Sequence, residues 1–189
     1  VGMMFVMVTG GIDLSIGAIM ALGAMAGCTV LKNNPGIPTI GVVVIAMAVG
    51  IVSGFFNGLL VSKLKILPII ATLGTMNIYR GITYLVANGS WVKQQEMGAN
   101  FLSLATGKVL GINNLIMIAV IVYIAAAFFM TQTRTGRKIY AVGNSEESAR
   151  VSGIKTDNTL ILVYTLLGVI AGLAGTLYVC KYGVAQGET

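Results

Sequence analysis

Asp13 stands in the stretch Thr9-Gly10-Gly11-Ile12-Asp13-Leu14-Ser15-Ile16, between two apolar runs, and no other acid precedes Glu96. A carboxylate inside an apolar body is costly, which makes it a candidate for ligand or substrate-path chemistry. A structural reading competes with this one. Gly10 and Gly11 break a helix, and Asp13 then caps a helix that begins at Leu14, accepting from the amides of Ser15 and Ile16. Broken helices also gather at substrate pathways in transporters. Arg80 interrupts the apolar run Ile66 to Ala87. It either snorkels to the outer interface or lines a polar cavity with Thr72, Thr75, Asn77 and Thr83. Asn57 is a further polar group inside an apolar run, expected to bond helix to helix and not to touch a ligand.

Absences narrow the chemistry further. The chain has no histidine, so His-based triads, histidine metal sites and histidine proton relays are excluded. No GxxxxGK[ST] phosphate loop occurs, because Thr106-Gly107-Lys108 lacks the first glycine. There are no paired carboxylates, no Cys-x-x-Cys spacing and no nucleophile elbow. An enzyme is therefore not expected, nor ATP bound by the phosphate-loop route. Cys28 and Cys180 lie in apolar runs and read as reduced packing residues.

The elements that position these residues follow from composition. Of the 189 residues, 56% are hydrophobic and 10% charged, where a soluble domain has about 25% charged. The mean hydropathy of +0.89 excludes an ordinary soluble globule, a disordered chain and a nucleic-acid binder. Uncharged runs cover Leu14 to Leu31, Thr39 to Ser62, Val109 to Thr133 and Thr159 to Cys180. With Ile66 to Ala87 they predict five crossing helices, since backbone groups in lipid must be satisfied within the segment. Residues 1–12 are too short to cross and read as the tail of a cut span. The ending Gly187-Glu188-Thr189 likewise suggests a fragment, incomplete at both ends. Small residues recur every four positions at Gly50, Gly54 and Gly58, and at Gly168 and Gly172. Such faces let helices approach closely, either within one subunit or at a dimer seam.

Loop charge sets the expected orientation. Lys63, Lys65, Arg134, Arg137, Lys138, Arg150 and Lys155 fall on one side, against Lys32, Lys93, Lys108 and Lys181 on the other. Positive-inside places residues 61–65 and 131–158 in the cytoplasm and 88–112 outside, with Trp91 near the interface. Within 131–158, Asn144 or Ser145 caps a short helix with Glu146 and Glu147 in its first turn, Arg150 in its last and Gly153 beyond. A helix of about two turns is unstable alone in water. It either lies on its own membrane domain or docks into a groove on a cytoplasmic partner.

The segments GGIDLSIGAIMAL, GFFNGLLVSKLKILPIIATLGTMNIYRGI and TGRKIYAVGNSEESARVSGI resemble the permease subunits of bacterial ABC importers for ribose, xylose, rhamnose and autoinducer-2. The resemblance covers essentially the whole chain, in the family's order and spacing. It implies an all-α, polytopic transmembrane helical bundle, a single permease domain over 1–189, with a broken helix near the N-terminus and a cytoplasmic coupling helix. It implies a multi-pass protein of the bacterial cytoplasmic membrane that passes a neutral sugar. The implied partners are an ATP-binding cassette subunit, which carries the ATP-Mg, an extracytoplasmic sugar-binding protein and a second permease subunit. No cofactor is implied on this chain. The family's ATPase-contacting pattern T-x-x-G-R maps onto Thr133, Gly136 and Arg137. The following stretch, Tyr140 to Gly153, contains Gly143, Asn144, Ala149 and Arg150, with Ser148 where the family usually has alanine. Two alternatives stay open at this point, an ion-driven or passive sugar carrier and a structural membrane scaffold.

Overall fold

A computed structural model describes residues 1–88, 90–109 and 111–185. The described chain is almost wholly helical. Helix α1 covers Gly2–Val8, α2 Ile16–Asn33, α3 Thr39–Ser62 and α4 Pro68–Ala87. A short insertion follows, with strand β1 (Val92–Lys93), a 3-10 turn (Gln94–Glu96), α5 (Ala99–Thr106), β2 (Lys108–Val109) and β3 (Ile112–Asn113). Then come α6 (Asn114–Gln132), α7 (Arg134–Asn144), α8 (Glu146–Val151), α9 (Thr156–Tyr182) and β4 (Val184–Ala185). The expected ending at Gly187 to Thr189 lies outside the described residues.

Local chemistry sets most boundaries. Extended Pro38 precedes α3, and α4 starts with Pro68 at its first turn, where a missing N–H costs nothing. Asn113 caps α6, accepting from the Leu115 amide at 2.8 Å. The helix expected from Val109 therefore starts later, because Lys108–Val109 pairs antiparallel with Ile112–Asn113. Gly183 closes α9 in the left-handed conformation.

Helices α2, α3, α6 and α9 are long and apolar enough to cross a membrane. The expected fifth, α4, is not among them, although its 20 residues would span about 30 Å. It carries Arg80 and a row of polar residues, and that polarity is where the site is found. Helix α6 buries only Ala126 and Met130 and offers isoleucine, valine and phenylalanine to the surroundings.

The centre is a three-helix stack of α2, α3 and α9 closed on glycine. A Cβ on Gly50 would overlap the Gly168 carbonyl, one on Gly54 the Tyr164 carbonyl, and one on Gly58 would lie 2.7 Å from the Ile161 Cα. Gly172 meets the Ala46 carbonyl in the same way. The small-residue faces thus close within one chain, and the dimer-seam reading is not needed for them. Cys28 and Cys180 are free and buried in the apolar cluster toward the β1–β4 end.

That end is tied by β1 pairing with β4 and by Lys32, whose ammonium lies 2.8 Å from Glu96. The hydrogen bond from Lys32, and then the one from the Lys93 amide, hold the Glu96 carboxyl below the ordinary carboxylate range. A carboxyl lowered in the folded state contributes stability above its unfolded pKa of about 4.3 and loses it as pH falls through the folded value. Proteolysis of the 92–106 insertion should therefore quicken below about pH 4. Glu96→Gln should be cut faster at neutral pH and gain little more on acidification. A parent cleavage rate that ignores pH would count against this tether.

Candidate functional site

Two places draw the sequence candidates together. The first is the break between α1 and α2. Helix α1 stops at Val8, and Gly10 takes φ +77°, a turn that suits glycine. Gly11 is held for space, since a Cβ there would lie 2.8 Å from the Tyr164 hydroxyl. Asp13 is 2% exposed and Ser15 fully buried. One Asp13 oxygen accepts from the Ser15 amide at 2.7 Å and from the Ser15 hydroxyl at 2.6 Å. The other accepts from the Asn57 amide group at 3.1 Å, and that group also donates to Ser15 Oγ at 2.8 Å. The Tyr79 hydroxyl, from α4, lies 3.0 Å from Asn57 Oδ1 and 2.8 Å from the Ser53 carbonyl. Nearby, the Leu14 amide donates to Thr72 Oγ1 at 3.2 Å.

This corrects the capping expectation for Asp13. Helix α2 begins at Ile16, not Leu14, with Ser15 as its N-cap and no side-chain cap bond. Asp13 does hold the Ser15 amide, but no bond to Ile16 is present, and its second oxygen is directed at α3. The residue is a knot joining the break, α3 and, through Asn57 and Tyr79, α4. Asn57 makes the helix-to-helix bond expected of it. Local spacing showed neither Tyr79 nor Tyr164. The signal for Tyr79 was the polar row Thr72, Thr75, Tyr79, Thr83, spaced three to four apart on one helix face.

The same row separates Arg80 from the threonines. Thr72, Thr75 and Thr83 are buried against the bundle, whereas Asn77 and Arg80 are exposed. The Asn77 amide group donates to the Leu73 carbonyl of its own helix at 2.9 Å. Arg80 instead lines a separate cleft of about 490 Å3 with residues of α2, α9 and β4. Thr72, Thr75, Asn77 and Thr83 are not among the described residues that line that cleft.

The second place is the helical elbow within 131–158. Thr133 caps α7, its hydroxyl accepting from the Gly136 amide at 3.0 Å and donating to the Phe129 carbonyl at 2.6 Å. Helix α7 had no counterpart in the sequence reading, which placed only the short helix after Asn144 or Ser145 in this segment. Both are glycine because of contact: a Cβ would overlap the Met130 carbonyl at Gly136 and the Val8 carbonyl at Gly143. Ile139 and Val142 are buried, while Arg137 and Tyr140 face out. Asn144 is the last residue of α7, and Ser145 is the cap of α8, accepting from the Ser148 amide at 3.2 Å. Ala149 is buried, and Gly153 ends the elbow with φ +81°.

Charge fixes this elbow to the bundle. Arg150 bonds Glu146 at 2.7 Å, and Lys65 lies 3.6 Å from Glu146 and 2.9 Å from Asp157. Lys63 reaches Asp157 at 3.0 Å. The two basic segments, 61–65 and 131–158, are thereby brought to one end. Each exposed pair is worth about 0–1 kcal/mol, so the group positions the elbow more than it stabilises the fold. Beyond it, Val151 is 86% exposed, an apolar tip standing clear of the bundle.

The family described as branched-chain amino acid transport system / permease component matches residues 1–189. The chain is 35% identical over 189 residues to the autoinducer 2 import system permease protein LsrC of Yersinia pseudotuberculosis serotype O:1b, covering 100% of this chain and 53% of that protein. The LsrC of Yersinia pestis strain Pestoides F gives the same identity and coverage. The chain thus spans about half the length of the curated relatives it matches. No solved structure matches it.

Proposed function

The chain belongs to the family of branched-chain amino acid transport system permease components, and from that premise we propose that it is the membrane-spanning permease subunit of an ATP-driven importer for a neutral sugar, either a ribose-like monosaccharide or autoinducer-2. The relatives' printed names support autoinducer-2, and the chemistry of the break supports a neutral cargo. An unpaired acid would favour the ammonium group of a zwitterionic amino acid. Asp13, the acid within the spanning region, is already occupied by Ser15 and Asn57. In this reading the partners are an ATP-binding subunit at the cytoplasmic face, a sugar-binding protein outside and a second permease subunit. This chain is a transport component, and hydrolysis belongs to the ATP-binding subunit.

The observation that carries the proposal is the elbow. Helix α8 has 6 residues, too few to persist alone in water, yet it is capped, ion-paired to Lys65 of the α3–α4 loop, hydrogen-bonded to Thr156 of α9, and tipped by exposed Val151. Its neighbour α7 bears on the Val8 carbonyl through Gly143. Motion of α8 is thus delivered to α1 and the Gly10–Gly11 turn, then to the Asp13–Asn57–Tyr79 knot joining α2, α3 and α4. An ATPase that closes beneath α8 moves spanning helices by this rigid path. The coupling residues are Thr133, Gly136, Arg137, Tyr140, Gly143, Asn144, Ala149, Arg150 and Gly153.

Val151→Asp tests this without disturbing the bundle, because the side chain stands in water. In the full-length permease assembled with its ATP-binding subunit, the variant should insert at normal abundance. It should lose at least about tenfold in uptake, since an apolar anchor is replaced by a desolvated charge. ATPase stimulation by the loaded binding protein should fall in parallel. Normal uptake and stimulation would remove α8 as the docking element.

A further inference from the structure

We infer that the cleft between α2, α4 and α9 is a binding subsite for a small polyhydroxylated molecule, held by the Arg80 guanidinium and by Tyr178; the inference rests on the importer reading above. The cleft has a volume of about 490 Å3, within the range of sites that enclose small ligands. Arg80 enters from α4, Gly17 and Met20 from α2, and Gly175, Tyr178 and Tyr182 from α9.

Arg80 is about 18 Å along α4 from Pro68, in the half of the helix nearer Ala87. Among the described residues no ion pair includes it. Four of the six acids are engaged elsewhere: Glu96 faces Lys32, Glu146 faces Lys65 and Arg150, Asp157 faces Lys63 and Lys65, and Asp13 faces Ser15 and Asn57. A guanidinium carries five N–H donors in a fixed fork and stays charged at any working pH. Facing lipid it would be strongly unfavourable, and a ligand rich in acceptors would satisfy it. Adjacent hydroxyl oxygens on a ring match that fork.

The walls suit the rest of such a ligand. The Tyr178 and Tyr182 rings lie 4.5 Å apart, tilted by 43°, and both are about half exposed. Aromatic faces accept the C–H faces of a sugar ring, and phenol hydroxyls add donor and acceptor groups. At Gly17 nothing lies within 4 Å of the Cβ position, which leaves room at the cleft wall. Gly175 is packed against the Met20 backbone, so that wall is narrow and rigid. Among the described residues no acid lines the cleft, and Lys181 sits 5.4 Å from the Tyr182 ring, which disfavours a cationic ligand.

The competing occupant is an anionic phospholipid headgroup on Arg80, and the experiment separates the two. Full-length permease with its ATP-binding subunit and binding protein is reconstituted in phosphatidylcholine alone or with phosphatidylglycerol, and ATP-driven uptake of labelled ribose and of other monosaccharides is measured. Arg80→Met and Tyr178→Ala should each lower uptake at least about tenfold in both lipids, the loss expected when a charge-assisted hydrogen bond or an aromatic contact to a ligand is removed. Membrane abundance should be unchanged. Ribose, or whichever sugar is carried, should slow thiol-reagent labelling of Gly17→Cys several-fold, and should not do so once Arg80→Met is added.

Wild-type-like uptake in both variants overturns the subsite while leaving the importer reading intact. An Arg80→Met defect confined to the anionic lipid overturns it in favour of a headgroup. Labelling of Gly17→Cys that sugar never slows also overturns it, because a purely structural Arg80 would leave that readout unmoved. Absence of ATP-dependent uptake of every sugar in the wild type sinks the importer reading, and this ligand with it.

Discussion

Gly54→Leu should prevent the full-length chain from accumulating as a folded, detergent-stable protein, while Leu59→Ala on the same helix should cost little. Gly54 faces α9, where even a methyl group would overlap the Tyr164 carbonyl and lie 3.0 Å from its carbonyl carbon. The obstacle is backbone, so no rotamer change relieves it. Helices α3 and α9 would have to separate, opening the stack on both sides through Gly50–Gly168 and Gly58–Ile161. In lipid nothing compensates, since tails solvate a leucine as well as a neighbouring helix does. The loss should exceed the usual overpacking cost of about 1–3 kcal/mol. Gly74→Leu is the control: it also adds a leucine to a spanning-length helix, but nothing lies within 4 Å of its Cβ position. Monodisperse yield and thermal melting of the three variants decide the point. Equal yields for Gly54→Leu and Gly74→Leu would mean that the glycine face does not close on α9.

The extent of α3 was legible because an uncharged run ends on one side at a proline and on the other at Lys63. The glycine faces were legible as close-packing surfaces, but not as to their partner. Spacing shows that a helix has a small side; it does not show which helix covers it. The limits of local reading are clearest at Gly136 and Gly143. In a helix interior each costs about 1 kcal/mol relative to alanine. In the fold they are the two places where α7 touches the Met130 and Val8 carbonyls, so tertiary contact overrides propensity. Residues 108–113 failed for the opposite reason. They extend an apolar run, yet Lys108–Val109 and Ile112–Asn113 pair with each other as a short hairpin. Arg80 was legible as an anomaly, but the cleft that receives it is made by α9, about a hundred residues later in the chain.

Asp13 is where the local and tertiary readings give opposite expectations for one substitution. A simple cap would accept asparagine in place of aspartate, because the amide oxygen takes the same backbone bond. The knot does not accept it. One oxygen of residue 13 receives both the amide and the hydroxyl of Ser15, and the other receives the Asn57 amide group. Asp13→Asn keeps the first and turns the second into a donor facing a donor. Asn57 can answer only by flipping, and then its oxygen faces the Ser15 hydroxyl oxygen, whose proton is already given to residue 13. Either way a buried group is left unsatisfied, at about 1–3 kcal/mol. Asp13→Ala strips three donors of their acceptor at once and should be worse. Asn57→Asp in the Asp13→Asn background puts an acceptor opposite the new amide and should recover part of the loss. The measurement is ATP-driven uptake and thermal stability of the full-length permease at matched membrane abundance. Partial rescue by the swapped pair would locate the effect in the contact between residues 13 and 57 and not in a cap. A silent Asp13→Asn, with wild-type stability and uptake, would restore the capping account and leave the α3 contact without a role.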